Sequence, residues 1–473
     1  MAINYFYTIF FLCYGLICLS VIGFKWILKQ YLKIANDRRR LALQGVFFLT
    51  LGLLLALTTP LLFKEWSERL WSILTFALGI GFFLRGLLFI FAQTIIQKVL
   101  SFYLFKTPVS IALISALLFF VLAILTATRD YVGETQNLEA CQDGNVLEVF
   151  CFVSNPEDMT LTPDGQFLIT SEFAGIKPYE EPGIGDLAII DLSNMQVNKL
   201  PIIFEDNVWG DPQCKRSSIN FNPHGIDLIR RYDGSHQLGV VNHFPQESIE
   251  FFELQKEEAW ELVWRGCVKV PKQFYVNDLT MQNNGTFYVS HMYPQDITIG
   301  QWLSASLFKY DTGEVLFWNK VKFNNLDFTK GGQPNGIVKK NNILYVAYNL
   351  SDEVKAFNLL TQEEIAQFKL NSPDNLILKN DFIWVTSFDH ETLDVIATCP
   401  GYSLGDGISE EPSVCSLPFK VFKLDVKDLS LVKEFDFKKD AFGFPTVAYP
   451  VDEYIYLGSF TICLLYTSDA ADE

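Results

Sequence analysis

The chain has 473 residues, 49% hydrophobic and 19% charged, with a formal net charge of −17, enough length for more than one domain. Residues 1–127 carry 11 Lys and Arg against 3 Asp and Glu, a balance of +8, which leaves −25 for residues 128–473. The acidic part lacks the cationic surface that phosphates require, which excludes nucleic acid as a partner; such a surface suits solubility and metal cations.

Four apolar runs open the chain: Tyr5–Phe24, Leu41–Phe63, Leu70–Phe91 and Val109–Ala127. Each approaches the roughly 20 residues that a helix needs to cross a bilayer, so a four-helix transmembrane region is expected over residues 1–127. The first run has no basic segment before it, unlike a cleavable leader. Lys25, Lys29, Lys33, Arg38, Arg39 and Arg40, then Lys98 and Lys106, mark the first and third loops as cytoplasmic. Lys64 and Arg69 of the second loop are offset by Glu65 and Glu68. By that count the N-terminus and the acidic domain both lie on the extracytoplasmic side, whether periplasmic, extracellular or lumenal. Arg85 falls inside the third run, where a charge is costly. With no intramembrane acid to pair with it, a helix boundary set one turn off is favoured over a functional pairing.

A linker and first strand are expected over residues 128–150. Cys13 and Cys18 read as small apolar residues of the membrane region. Cys399 and Cys415 bracket a Gly/Pro/Ser-rich loop and look like a disulfide pair in an oxidising compartment. Cys141, Cys151, Cys214 and Cys267 can supply others, with pairing open. No CxxC occurs, which disfavours a thiolate zinc site.

From Glu157 onward six segments share one pattern: a polar residue, an apolar strand, a turn, and a strand rich in β-branched and aromatic residues. They are Glu157–Ser171 (turn Pro163-Asp164-Gly165), His224–His243 (Asp233-Gly234), Asn277–His291 (Asn283-Asn284-Gly285), Asn335–Asn349 (Asn341-Asn342), Asp374–Asp389 (Asn380-Asp381) and Pro445–Phe460 (Val451-Asp452). Asn-Gly and Asp-Gly signal hairpins because these residues tolerate positive φ. Further strands are expected at Leu187–Leu192, Ile249–Leu254, Ser306–Tyr310 and Phe419–Leu424. About four strands per repeat is the unit of a propeller blade. The expected fold is therefore an all-β six-bladed propeller over residues 151–462, preceded by the helical membrane region. A β-sandwich gives no reason for the recurring polar residue. The final stretch, residues 463–473, reads like a translated sequencing adapter and is set apart from the fold.

The starts of the innermost strands of a propeller meet near its axis, so the pairs Glu157-Asp158, Asn277-Asp278, Asn335-Gly336 and Asp374-Asn375 are expected to converge. Ca²⁺ takes six to eight oxygen ligands, and Glu157, Asn277, Asn335, Asp374 and Asn375 supply five of that kind. By strand alternation Asp158 and Asp278 point the other way, towards a second, structural calcium. His224, of Asn222-Pro223-His224-Gly225-Ile226, and His243, of Val240-Val241-Asn242-His243, suit a general base and its orienting partner. His291 and His390 are secondary candidates at the pocket mouth, and His236 is placed in a solvated turn.

These phrases together resemble the paraoxonase/arylesterase family in order, type and spacing over roughly residues 141–462. The resemblance implies a six-bladed propeller holding two calcium ions and hydrolysing lactones and aryl esters. It further implies that Glu157, Asn277, Asn335, Asp374 and Asn375 bind the catalytic calcium. Asp158, Asp278 and the Ile226 backbone carbonyl would bind the structural one, and His224 and His243 would form the catalytic dyad. Members from animals have one N-terminal anchor instead of four crossings, and Val289-Ser290-His291-Met292 departs from the family pattern. The family also joins its first and last strands by a disulfide; here the last strand reads as cut off, so Cys141 or Cys151 is expected to lack its partner. The expected function is a membrane-tethered, calcium-dependent hydrolase acting on a small lactone or ester. A gluconolactonase-type sugar lactonase is the runner-up, against which the histidine pair speaks. A non-catalytic binding or sensing propeller has no need of five oxygens plus two imidazoles. Oligomeric state is open.

Overall fold

A computed structural model describes residues 2–23, 37–62, 70–98 (except 96), 109–127, 136–137, 143–150 (except 145), 152–178, 181–216, 220–390, 417–438, 440, 443–460 and 464–467. It also describes three two-residue strands within 402–414. The chain divides into two compact units, Met1–Val132 with Ile396–Pro400, and Gly133–Val395 with Gly401–Glu473.

The first unit holds, among the described residues, four helices: Ala2–Gly23, Arg38–Leu62, Leu70–Phe91 and Val109–Ala127. Among the described residues only Arg38–Leu57 is long and apolar enough to cross a membrane. The apolar stretches Thr8–Leu19, Phe76–Phe91 and Val109–Ile124 are shorter, below the length that a 30 Å hydrocarbon core demands at 1.5 Å per residue. One candidate span therefore stands where the sequence predicts four. The second and third helices pack together through glycines seven residues apart on each. A Cβ on Gly52 would come 2.3 Å from the Phe83 nitrogen, and one on Gly86 would come 2.5 Å from that of Leu49, so the backbones approach as only glycine permits. Arg85 is interior to its helix, which corrects the boundary reading. Its guanidinium lies 4.3 Å from the Phe48 ring centroid and 5.1 Å from that of Phe89, a cation–π arrangement.

The second unit is an all-β propeller. The first strands of successive sheets are Pro156–Leu161, Pro223–Arg230, Phe274–Met281, Pro334–Lys340, Pro373–Lys379 and Val447–Val451. Each packs against the next and the last against the first. All six expected hairpins form. Their tight turns use Asn341, Asn380, Asp381 and Asp452 at φ between 49° and 66°, where Asn and Asp cost least among residues with a side chain. The second strands, such as Ile343–Tyr348, are apolar because both faces are covered.

Three expectations need correcting. Among the described residues five sheets have four strands, whereas the sheet of Pro223–Arg230 has five, so the blades are not six equal four-stranded units. There Ile202–Phe204 adds in parallel to Trp260–Lys269. Phe204 stacks on Trp264 with ring centroids 4.6 Å apart, and the Cys214–Cys267 disulfide pins the following loop to the same strand. Second, Ser306–Tyr310 is no strand: Ile299–Phe308 is a helix. Thr298 and Gln301 form a capping box, which outweighs the local apolar run. Third, Leu464–Thr467, in the stretch set apart from the fold, forms a strand between Tyr454–Gly458 and Glu148–Phe150. Cys141, Cys151, Cys399 and Cys415 lie outside the described residues.

Candidate functional site

Five of the six first strands share a local irregularity that builds the site. The ladder to the second strand is broken between Pro156 and Met159, Pro223 and Ile226, Val276 and Leu279, Pro334 and Ile337, and Pro373 and Leu376. The two residues skipped in each case are Glu157-Asp158, His224-Gly225, Asn277-Asp278, Asn335-Gly336 and Asp374-Asn375. A bulge releases backbone groups from the ladder and re-aims side chains. The sixth strand, Val447–Val451, pairs without interruption.

The first-named set converges. The Asn375 amide donates to the Glu157 backbone carbonyl at 3.2 Å and lies 3.4 Å from Glu157 Oε1. Thr446 Oγ1 donates to the same Glu157 carbonyl at 2.7 Å. His224 Nε2 is 2.9 Å from Glu157 Oε1 and 3.5 Å from Asn277 Nδ2. Asp374 is hydrogen-bonded by Asn335 and repelled by Glu157. Glu157 Oε2, Asn277 Oδ1, Asn335 Oδ1, Asp374 Oδ1 and Asn375 Oδ1 are all buried without a hydrogen-bond partner. An orphaned buried oxygen is costly and rare; five in one network, all acceptors, form a donor set suited to a hard cation. Among the described residues no three His, Cys, Asp or Glu side chains gather as a metal-binding group. Three of the five orphans are carboxamides, oxygen donors of the kind that hard cations take.

Two second members, Asp158 and Asp278, behave differently. Asp158 Oδ2 accepts from the Ile226 amide at 2.7 Å and its Oδ1 from Met159 at 2.8 Å. Asp278 Oδ2 accepts from Ile337 at 2.8 Å and its Oδ1 from Leu279 at 2.7 Å. Each carboxylate thus ties its strand to the first strand of the next sheet. Asp158 contacts the N–H of Ile226, not the carbonyl that the resemblance implies as a ligand. Burial pushes Glu157 and Asp158 up to about 8 and Asp227 to about 6, and holds Asp278 and Asp374 well above the usual carboxylate range. Mutual repulsion adds to burial for Asp158, Asp278 and Asp374.

The two histidines are brought together. His224 Nδ1 is 2.8 Å from His243 Nε2, and His243 Nδ1 is 2.7 Å from Glu247 Oε1. Phe173 stacks on His224 at 4.7 Å between centroids, and Tyr275 stacks on His243 at 4.6 Å. Burial lowers His224 well below the usual imidazole range, and proximity to His243 adds to this, so His224 is neutral at neutral pH. Glu247, Phe173 and Tyr275 do not emerge from the sequence patterns. The one signal for Glu247 was its spacing of four from His243 in a connection between apolar strands.

The secondary histidines sit apart. His291 Nδ1 lies 3.2 Å from the Tyr275 backbone, and burial lowers its ring to about 4. His390 Nδ1 donates to the Pro418 carbonyl at 3.0 Å, and its ring stacks on Phe388. His236 is a half-buried first residue of a strand, not a turn residue.

A propeller whose axis carries an imidazole pair beside buried carboxylate and carboxamide oxygens has the makings of a hydrolase centre. The arylesterase family model matches residues 140–405, and the chain belongs to that family. No curated protein sequence matches it. Similar solved structures include a luciferin-regenerating enzyme, at 10% identity and a TM-score of 0.38, covering 71% of this chain and 95% of that one. The PQQ-bound aldose sugar dehydrogenase of Streptomyces coelicolor aligns at 11% identity and a TM-score of 0.38, covering 71% and 98%. Both likenesses are too weak to bear on function.

Proposed function

We propose that this arylesterase-family propeller is a calcium-dependent hydrolase of lactones and aryl esters. The observation that carries the reading is the set of five orphaned oxygens beside the imidazole pair. Glu157, Asn277, Asn335, Asp374 and Asn375 would hold one calcium ion, and Asp158, Asp278 and the Ile226 carbonyl a second, structural one. Calcium at the first position supplies polarisation of the substrate carbonyl and countercharge for the oxyanion. His224, kept neutral by burial, takes a proton from the attacking water at Nε2. His243 shares the resulting charge through the Nδ1–Nε2 contact, and the faces of Phe173 and Tyr275 favour an imidazolium. The ester C–O bond breaks, the leaving oxygen is protonated, and the products are a carboxylic acid and an alcohol, or a hydroxy acid from a lactone.

The same proposal takes the five-stranded sheet as the sixth blade and the one candidate span, Arg38–Leu57, as a membrane anchor. The Cys214–Cys267 disulfide supports an oxidising, extracytoplasmic location for the propeller. The test is hydrolysis of phenyl acetate and δ-valerolactone by the full chain in detergent, with and without EGTA. Activity is expected to vanish on chelation and return with calcium. Activity that persists under EGTA, or in the His224→Gln/His243→Gln double variant, overturns the reading.

A further inference from the structure

We infer that Glu247 is a positioning residue that sets the direction of the proton chain through the two histidines. Four groups lie in series: Glu157 Oε1 to His224 Nε2 at 2.9 Å, His224 Nδ1 to His243 Nε2 at 2.8 Å, and His243 Nδ1 to Glu247 Oε1 at 2.7 Å. A neutral imidazole donates from one nitrogen and accepts at the other, so the series has two possible directions and one end must choose. Glu247 is fixed for that task. It is buried, its Oε2 accepts from the Val276 amide at 3.3 Å, and its carbonyl accepts from the Val270 amide at 3.1 Å.

An ionised Glu247 only accepts, so it holds the proton of His243 on Nδ1. His243 Nε2 then presents a lone pair and takes the Nδ1 proton of His224. His224 Nε2 is left as an acceptor towards Glu157, whose buried carboxyl carries the proton of their 2.9 Å contact in the calcium-free chain, the orientation that a base at that point requires. A protonated Glu247 would reverse every bond: His224 would carry its proton on Nε2 and could not act as a base there. When His224 gains a proton, Glu247 also supplies a countercharge at the far end of the pair, and no proton need leave the buried chain. The role parallels the acid that orients the histidine of a hydrolytic triad, extended by one imidazole.

The inference rests on the hydrolase reading, and its test separates the two. The experiment records ¹⁵N NMR spectra of the full chain in detergent, labelled at histidine, calcium-free and calcium-loaded. The expected spectra show His243 protonated on Nδ1 and unprotonated on Nε2, with the same tautomer for His224. Glu247→Gln removes the carboxylate at nearly constant shape. It is expected to disturb that tautomer pattern and lower kcat on phenyl acetate ~10- to 100-fold. KM is expected to change less than about twofold, and the calcium concentration at half-saturation to stay unchanged. His243 found protonated on Nε2 in the unsubstituted chain overturns the inference, as does a Glu247→Gln variant with undiminished kcat. A chain without hydrolytic activity or calcium binding defeats the hydrolase reading alone, because the tautomer is still measured in the calcium-free protein.

Discussion

In two of the polar pairs at the propeller axis, Glu157-Asp158 and Asn277-Asp278, the two members have opposite fates. Glu157, Asn277, Asn335, Asp374 and Asn375 each keep a buried oxygen without a donor, whereas the four carboxylate oxygens of Asp158 and Asp278 are all taken by backbone N–H groups. Neighbouring residues on one bulge thus divide the work. One layer is built at a cost in stability, with acceptors aimed at a common point, and the adjacent layer ties successive sheets together. Functional sites commonly concentrate such unsatisfied groups, which the rest of the fold must offset.

This contrast can be broken in four ways, from the largest expected effect down. Replacing His224 and His243 together by Gln removes the base and its partner and should lower kcat ~10²- to 10⁴-fold, with calcium binding retained; steady-state kinetics decide. Glu157→Gln takes one of two charges from the orphan layer, so calcium affinity should fall at least ~10-fold while the calcium-free chain becomes more stable. Loss of stability without calcium would contradict the division. Asp158→Ala, in the other layer, leaves the Ile226 N–H without its acceptor and should cost about 1–3 kcal/mol in the calcium-free chain, read from urea midpoints. His291→Gln and His390→Gln should change kcat less than about threefold, since their ring nitrogens bond the Tyr275 and Pro418 backbones.

The pH response sharpens the same point. Burial lifts Glu157 and Asp158 to about 8, so the folded, calcium-free chain binds protons that the unfolded chain has released above roughly pH 5. Where the native state holds more protons, stability falls as pH rises. Calcium-free midpoints should therefore drop between about pH 5 and 8, and calcium should flatten the drop. Midpoints that rise over that window without calcium would contradict the account.

Much of this was legible in the chain because turn chemistry and axial position are local. Asn380-Asp381 and Asp233-Gly234 mark hairpins by their tolerance of positive φ, and the axial pairs recur at strand starts. The bulges that aim those pairs are set by partners on the second strand, which no local pattern reveals. Ser306–Tyr310 misleads because a capping box eight residues upstream decides its conformation. Glu247 escapes notice because its meaning depends on a turn that folds it back onto His243. The N-terminal runs show the limit of counting: composition suggests four crossings, yet among the described residues one stretch has the length.

Calcium titration of the full chain by isothermal calorimetry, beside Glu157→Gln and Asp158→Asn, tests the central claim most directly. The account predicts saturable binding that Glu157→Gln weakens at least ~10-fold, with a smaller loss in Asp158→Asn. Absence of calcium binding, or equal binding by Glu157→Gln and the unsubstituted chain, would contradict it.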